Sequence, residues 1–186
     1  METFNWFIDF KYLNAIWLLP IIFYFHEFEE WHILDYYKKY YKNTPPVTNL
    51  SMRLFIVFVC LVATIITVIA FITGNNNYAA FIIQIIIIIA IMNGIQHIYW
   101  CFEIKSYFPG VIFASLNMIV SLLLMVKAII NGYIPIYIAI PSLFLMIPQL
   151  LITFKTKKNE ISKDINGALL FSLKLEKAYR KLFLIK

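Results

Sequence analysis

The chain has 186 residues, of which 62% are hydrophobic and 18% aromatic, and this composition excludes a water-soluble single domain and makes a bilayer its medium. Its net charge of +6 does not point to nucleic acid, because the Lys and Arg residues cluster beside apolar runs, where they set membrane orientation. Cys60 and Cys101 both lie inside apolar runs, provide no disulfide framework, and read as small packed residues.

A helix needs about 20 largely apolar residues to cross a hydrocarbon core about 30 Å thick. The chain opens with FNWFIDFKY, a short aromatic stretch of the kind that anchors at an interface. Five segments then meet the length test, near residues 14–32, 53–73, 79–101, 108–131 and 134–154. The first has no basic leader and no small-residue cleavage site, so it reads as a permanent span and not a removable signal. Pro20 is expected to loosen the helix before His26 and re-aim its end. The third contains the run IIIIIA, β-branched but helical in lipid, where the backbone must satisfy its own hydrogen bonds. Pro109 suits the first turn of the fourth, and Gly110 beside it permits close approach of backbone to a neighbour. Beyond residue 154, Phe171, Leu175, Ala178 and Leu182 share one helical stripe and Lys174, Lys177 and Lys181 another, which predicts a helix lying along the inner leaflet.

Lys38, Lys39, Lys42 and Arg53 follow the first span and Lys155, Lys157 and Lys158 follow the fifth, whereas the loops GNNNY and NGY carry no charge. The basic ends face the cytoplasm, which places the N-terminus outside and the C-terminus inside. The expected fold class is therefore an all-α integral membrane protein. Residues 1–154 form a bundle of about five transmembrane helices, and residues 155–186 form a basic amphipathic cytoplasmic tail.

Ionisable side chains within a span cost about 2.5 to 3.5 kcal/mol on insertion scales and mark function by default. The string FHEFEEWH holds several. At about 100° per residue, Glu29 lies about 60° to one side of His26 and Glu30 about 40° to the other, so these three form one stripe, while Glu27 and His32 point elsewhere. Asn93, Gln96, His97 and Trp100 form a second stripe near the end of the third span. Spans one and three run in the same direction, so both stripes reach the cytoplasmic third of the membrane.

His26 and Glu30, four residues apart, can hold one metal ion from a single helical face, with His97 as third ligand and one position open, a set suited to zinc or ferrous iron. Glu29 is then placed as general base and Asn93 as a group that orients or polarises the substrate, a pattern close to H-x-x-E-H with Glu30 in the last place. Gln96, Tyr107 and Glu27 are expected behind these, as supporting residues; a purely structural hydrogen-bonded cluster is the plainer alternative. His32 reads as an interfacial histidine, and Glu103 and Lys105 as loop charges.

His26-Glu27-Phe28-Glu29-Glu30, Asn93-x-x-x-His97 and Tyr107-x-Pro109-Gly110 together resemble the HXXEE-motif family of bacterial integral membrane proteins, over most of the chain from about Trp17. That resemblance implies a multi-pass protein of the bacterial cytoplasmic membrane and assigns no reaction. There is a fainter likeness to the glutamate-type intramembrane proteases of the CAAX-processing kind. It departs at Leu34, where an arginine is expected, in Asn93 preceding His97, and in requiring His26 as the second histidine.

The function expected is a metal-dependent membrane enzyme, a hydrolase of a lipid or lipid-linked substrate. Alternatives are a metal-free protease-like hydrolase, in which Glu29 or Glu30 activates water, and a non-enzymatic haem-binding, metal-binding or ion-handling membrane protein. The partners expected are membrane lipid and no nucleic acid, with an oligomer open.

Overall fold

The computed structural model describes residues 10–156 and 159–183, and the elements among them are helices, with one isolated bridge between Lys42 and Glu160. Residues 4–9 of the expected anchor, Lys157, Lys158 and the last three residues of the tail lie outside that range. Among the described residues, four stretches are long and apolar enough to cross a membrane: α4 (Asn49–Ile72), α5 (Asn76–Ile104), α6 (Val111–Ile130) and a composite stretch over Ile136–Lys155. The composite is α7 (Ile136–Ser142), a 3₁₀ turn (Leu143–Met146) and α8 (Ile147–Lys155), with Pro141 and Pro148 beside the irregular turn.

The first expected span is broken into α1 (Tyr12–Ala15), α2 (Leu18–Glu29) and α3 (Ile33–Tyr40). Pro20 is the third residue of α2, a position whose N–H would have no partner inside the helix anyway. The interruption therefore falls upstream at Ile16 and Trp17, and α2 continues through His26, contrary to the kink expected between Pro20 and the site. At 12 residues α2 is about 18 Å long.

α5 is the longest element, 29 residues, and starts cleanly because Asn75 Oδ1 accepts from the Asn77 and Tyr78 amides at 2.8 and 3.3 Å. It ends at Lys105 in the left-handed conformation, φ 54°. α6 packs closely along it because Gly94 has no side chain: a Cβ there would stand 2.7 Å from Met118 Cβ and 3.0 Å from the Ala114 carbonyl oxygen. One apolar core, including Ile16, Leu19, Ile83, Ile87 and Leu124, joins α1 and α2 to this hairpin; a second, centred on Leu34, Trp100, Phe108 and Leu169, sits at the other end.

α9 (Lys163–Phe183) folds back along the start of α4. Its buried stripe is Ile165, Leu169, Ser172 and Glu176, one face of a 3.6-residue period. This replaces the stripe expected from sequence: Phe171 is 38% and Leu182 74% exposed. Polar contacts decide the difference. Thr48, the N-cap of α4, accepts from the Ser51 amide and donates its hydroxyl to Glu176 Oε2 at 2.5 Å, and Ser172 Oγ donates to Ser51 Oγ at 3.3 Å. Glu176 also holds Arg180 Nη2 at 2.7 Å.

Candidate metal and lipid site

Three chain segments meet at the site: the last turn of α2, the last third of α5, and the turn between α5 and α6. That turn is fixed by Phe108, fully buried, its ring centroid 5.3 Å from His97, 4.9 Å from Trp100 and 5.2 Å from Tyr36. Gly110 follows with φ 92°, as the N-cap of α6. Pro109 thus precedes the helix and does not occupy its first turn. A Cβ on Gly110 would stand 2.7 Å from Glu30 Oε1, 2.7 Å from His97 Cε1 and 2.8 Å from His26 Cε1, so the turn's backbone is pressed against all three side chains.

The Gly110 carbonyl oxygen lies 3.0 Å from His26 Nδ1, and a carbonyl can only accept, so Nδ1 carries the proton and Nε2 turns its lone pair inward. Glu30 Oε1 is 3.9 Å from that Nε2 and 3.1 Å from His97 Nε2. The two imidazoles are perpendicular, with centroids 4.9 Å apart. His26 is 1% and His97 2% exposed.

One ligand atom from each of His26, Glu30 and His97 falls within 4.8 Å of the others. A tetrahedral centre with bonds of about 2.0 to 2.2 Å holds its ligand atoms roughly 3.4 Å apart, a value bracketed by the two histidine–glutamate separations. The donor set, two imidazoles and a carboxylate, fits zinc or ferrous iron, and the carbonyl behind His26 is the support a ligating histidine normally has. His97 Nδ1, on the other side of the ring from the Nε2 that Glu30 approaches, is buried without a partner among the described residues.

The structure separates the two remaining carboxylates of the string. Glu29 Oε2 accepts from the Phe113 amide at 3.2 Å, and the Tyr107 hydroxyl donates to Glu29 Oε1. Glu29 therefore caps the first turn of α6, where a negative charge is favoured, and points away from the histidines. Partial burial first, and then the Glu29 charge, raise the Tyr107 hydroxyl above its ordinary value and keep it a donor. Glu27, expected to face elsewhere, is 6% exposed with Oε1 4.0 Å from His26 Nε2. His32 is exposed at the head of α3.

Asn93 Nδ2 lies 3.3 Å from His26 Nε2, within the cluster. Gln96 donates to Thr153 Oγ1 at 2.6 Å and so ties α5 to α8. Asn117 of α6, which sequence reasoning passed over, is 3% exposed with its Oδ1 unpartnered among the described residues. The rule that singled out Asn93, a polar side chain inside an apolar span, would have found it.

Beside the cluster opens a cavity of about 410 Å³, within the range of small-molecule sites, about 300 to 1,000 Å³. His26, Glu27, Glu30, Asn93, His97 and Asn117 all face it, and Glu29 does not. The rest of its wall is almost wholly apolar, with Phe58, Val62 and Ile66 from α4, Ile86 and Ile89 from α5, and Ile165 and Leu169 from α9. From Ile86 to Trp100 its α5 wall spans 15 residues, about 21 Å at the helical rise.

No curated protein and no solved structure matches the chain. The family model described as "Protein of unknown function with HXXEE motif" matches residues 17–126, a stretch that contains the whole of α2, the polar end of α5 and the Gly110 turn. The chain belongs to the HXXEE-motif family.

Proposed function

We propose that the protein is a metal-dependent membrane hydrolase acting on a lipid or lipid-linked substrate. The observation that carries this reading is the convergence of His26, Glu30 and His97 beside a largely apolar cavity. His26 and His97 would hold the ion through ring nitrogens and Glu30 through Oε1. When bound, a zinc or ferrous ion there supplies a Lewis acid and lowers the pKa of water. The proton-transfer role falls to Glu27, which faces the cavity beside His26; Glu29 keeps Tyr107 and the α6 terminus in place. Asn93 orients the substrate, and the apolar wall keeps bulk water from the reacting group.

The first segment counts as a fifth crossing in this reading, with α1 and α2 together spanning Tyr12 to Glu29. The charge asymmetry of the loops supports an outside N-terminus and a site at the cytoplasmic side of a bacterial inner membrane. A porphyrin has no slot between two perpendicular rings 4.9 Å apart, so haem is not proposed.

Elemental analysis of the detergent-purified protein tests the reading. One zinc or iron per chain is expected in the wild type, and its loss in His26→Ala, His97→Ala and Glu30→Gln. A preparation that is metal-free yet hydrolytically active overturns it. The result would favour direct activation of water by Glu27 or Glu30, the chemistry of the glutamate-type intramembrane proteases.

A further inference from the structure

Resting on that reading, we infer that Asn93 is a fourth protein ligand of the ion, bound through its amide oxygen Oδ1. Two groups compete for one lone pair. The Gly110 carbonyl fixes the His26 proton on Nδ1, so Nε2 offers a lone pair and nothing else. Asn93 Nδ2 stands 3.3 Å from that Nε2 and donates to it. An ion held by His26 needs the same lone pair. With metal bound, the Asn93 amide group therefore loses its acceptor and turns its N–H hydrogens toward a cation, which repels them.

One movement removes the conflict. The last torsion of an asparagine side chain is broad and roughly two-fold, and half a turn about it exchanges the oxygen and the nitrogen. Turned over, Asn93 sets Oδ1 close to the place that Nδ2 holds, 3.3 Å from His26 Nε2. The oxygen gives up nothing by moving, because it is buried without a partner among the described residues. The separations suit a single ion: neighbouring ligand atoms about a tetrahedral centre lie roughly 3.4 Å apart. The successive contacts Asn93–His26, His26–Glu30 and Glu30–His97 measure 3.3, 3.9 and 3.1 Å. The spacing along the chain agrees. His26 and Glu30 at the end of α2, and Asn93 and His97 on α5, are each one helical turn apart, so each helix presents two donor atoms from one face. Zinc and ferrous iron both accept a further ligand, which leaves water a place, and Asn93 then orients the substrate through the ion.

Cobalt(II), whose visible absorption reports its own coordination, is the probe. It is titrated into the whole protein in detergent after chelation, in competition with a chromogenic chelator. Asn93→Ala is expected to weaken cobalt binding about tenfold or more and to change the absorption bands. Asn93→Asp, which offers an oxygen and no N–H, is expected to restore both. A residue that served only as a donor to His26 behaves the other way, with Asn93→Asp no better than Asn93→Ala. Asn93→Leu, close to asparagine in volume, guards against a folding defect and should match Asn93→Ala. Unchanged affinity and bands in Asn93→Ala and Asn93→Leu, or failure of Asn93→Asp to restore either, sinks the ligand assignment and leaves His26, Glu30 and His97 as the site. A wild type that binds no cobalt is a separate failure: it removes the metal reading itself, and this ligand with it.

Discussion

Gly110 combines two duties that no other residue type can share: its carbonyl orients His26, and its missing side chain leaves room for Glu30 and both rings. Gly110→Ala should therefore cost about 1 to 2 kcal/mol of backbone strain at φ 92° and displace the ligands besides. The expected outcome is at least tenfold weaker metal retention, read by competition with a chromogenic chelator, together with a lower Tm. The two spare carboxylates give an opposed pair. Glu27→Gln should reduce hydrolysis about a hundredfold or more while leaving metal bound. Glu29→Gln should instead lower stability by about 0.3 to 1 kcal/mol, with Tyr107→Phe giving a similar loss, and leave metal content and the catalytic proton transfer intact; unfolding and rate measurements on the same preparations check both. The meeting of His26, Glu30, Asn93 and His97 was partly legible in the sequence because helical periodicity puts His26 with Glu30, and Asn93 with His97, on single helical faces. The choice between Glu27 and Glu29 was not. Measured from the midpoint of His26 and Glu30, each stands about 80° away, on opposite sides. What decides is tertiary: the α6 terminus takes Glu29 on one side, and the cavity lies on the other.

At the scale of elements, α9 is held to α4 by a capping residue used twice, Thr48. The Thr48 hydrogen bond first, and Arg180 next, hold the Glu176 carboxyl below its ordinary value. A group depressed on folding contributes stability that is present above its unfolded value and lost as the pH falls through the folded one. Acidification below the ordinary glutamate range should therefore loosen α9, seen as faster proteolysis after Lys174 or Lys177 in detergent. In Glu176→Gln the contact should be weaker at neutral pH and the acid-dependent step absent. Hydropathy found α4, α5, α6 and the Pro-broken last stretch because length and apolar content suffice for them. It misread two elements for different reasons, polar partners that outrank a hydrophobic stripe in one and a proline that sets the helix start in the other. Helix α9 turns Ser172 and Glu176 inward because Ser51 and Thr48 await them, and α2 starts late because Pro20 needs a helix's first turn.

Over the whole molecule, Phe108 joins the site to the fold, since it contacts His97 on one side and packs with Tyr36, Tyr37 and Trp100 on the other. Phe108→Ala should destabilise by about 3 to 5 kcal/mol and release the Gly110 turn, and chemical denaturation followed by metal titration reads both losses on one sample. The cavity wall has a different dependence on the chain. Ile165, Ala168 and Leu169 complete it, and all three are made only after the four long helices. During biosynthesis the chamber is therefore a trough with one side missing until α9 is laid down. A lipid resting against α4 and α5 would meet α9 as the last side of the site to be laid down.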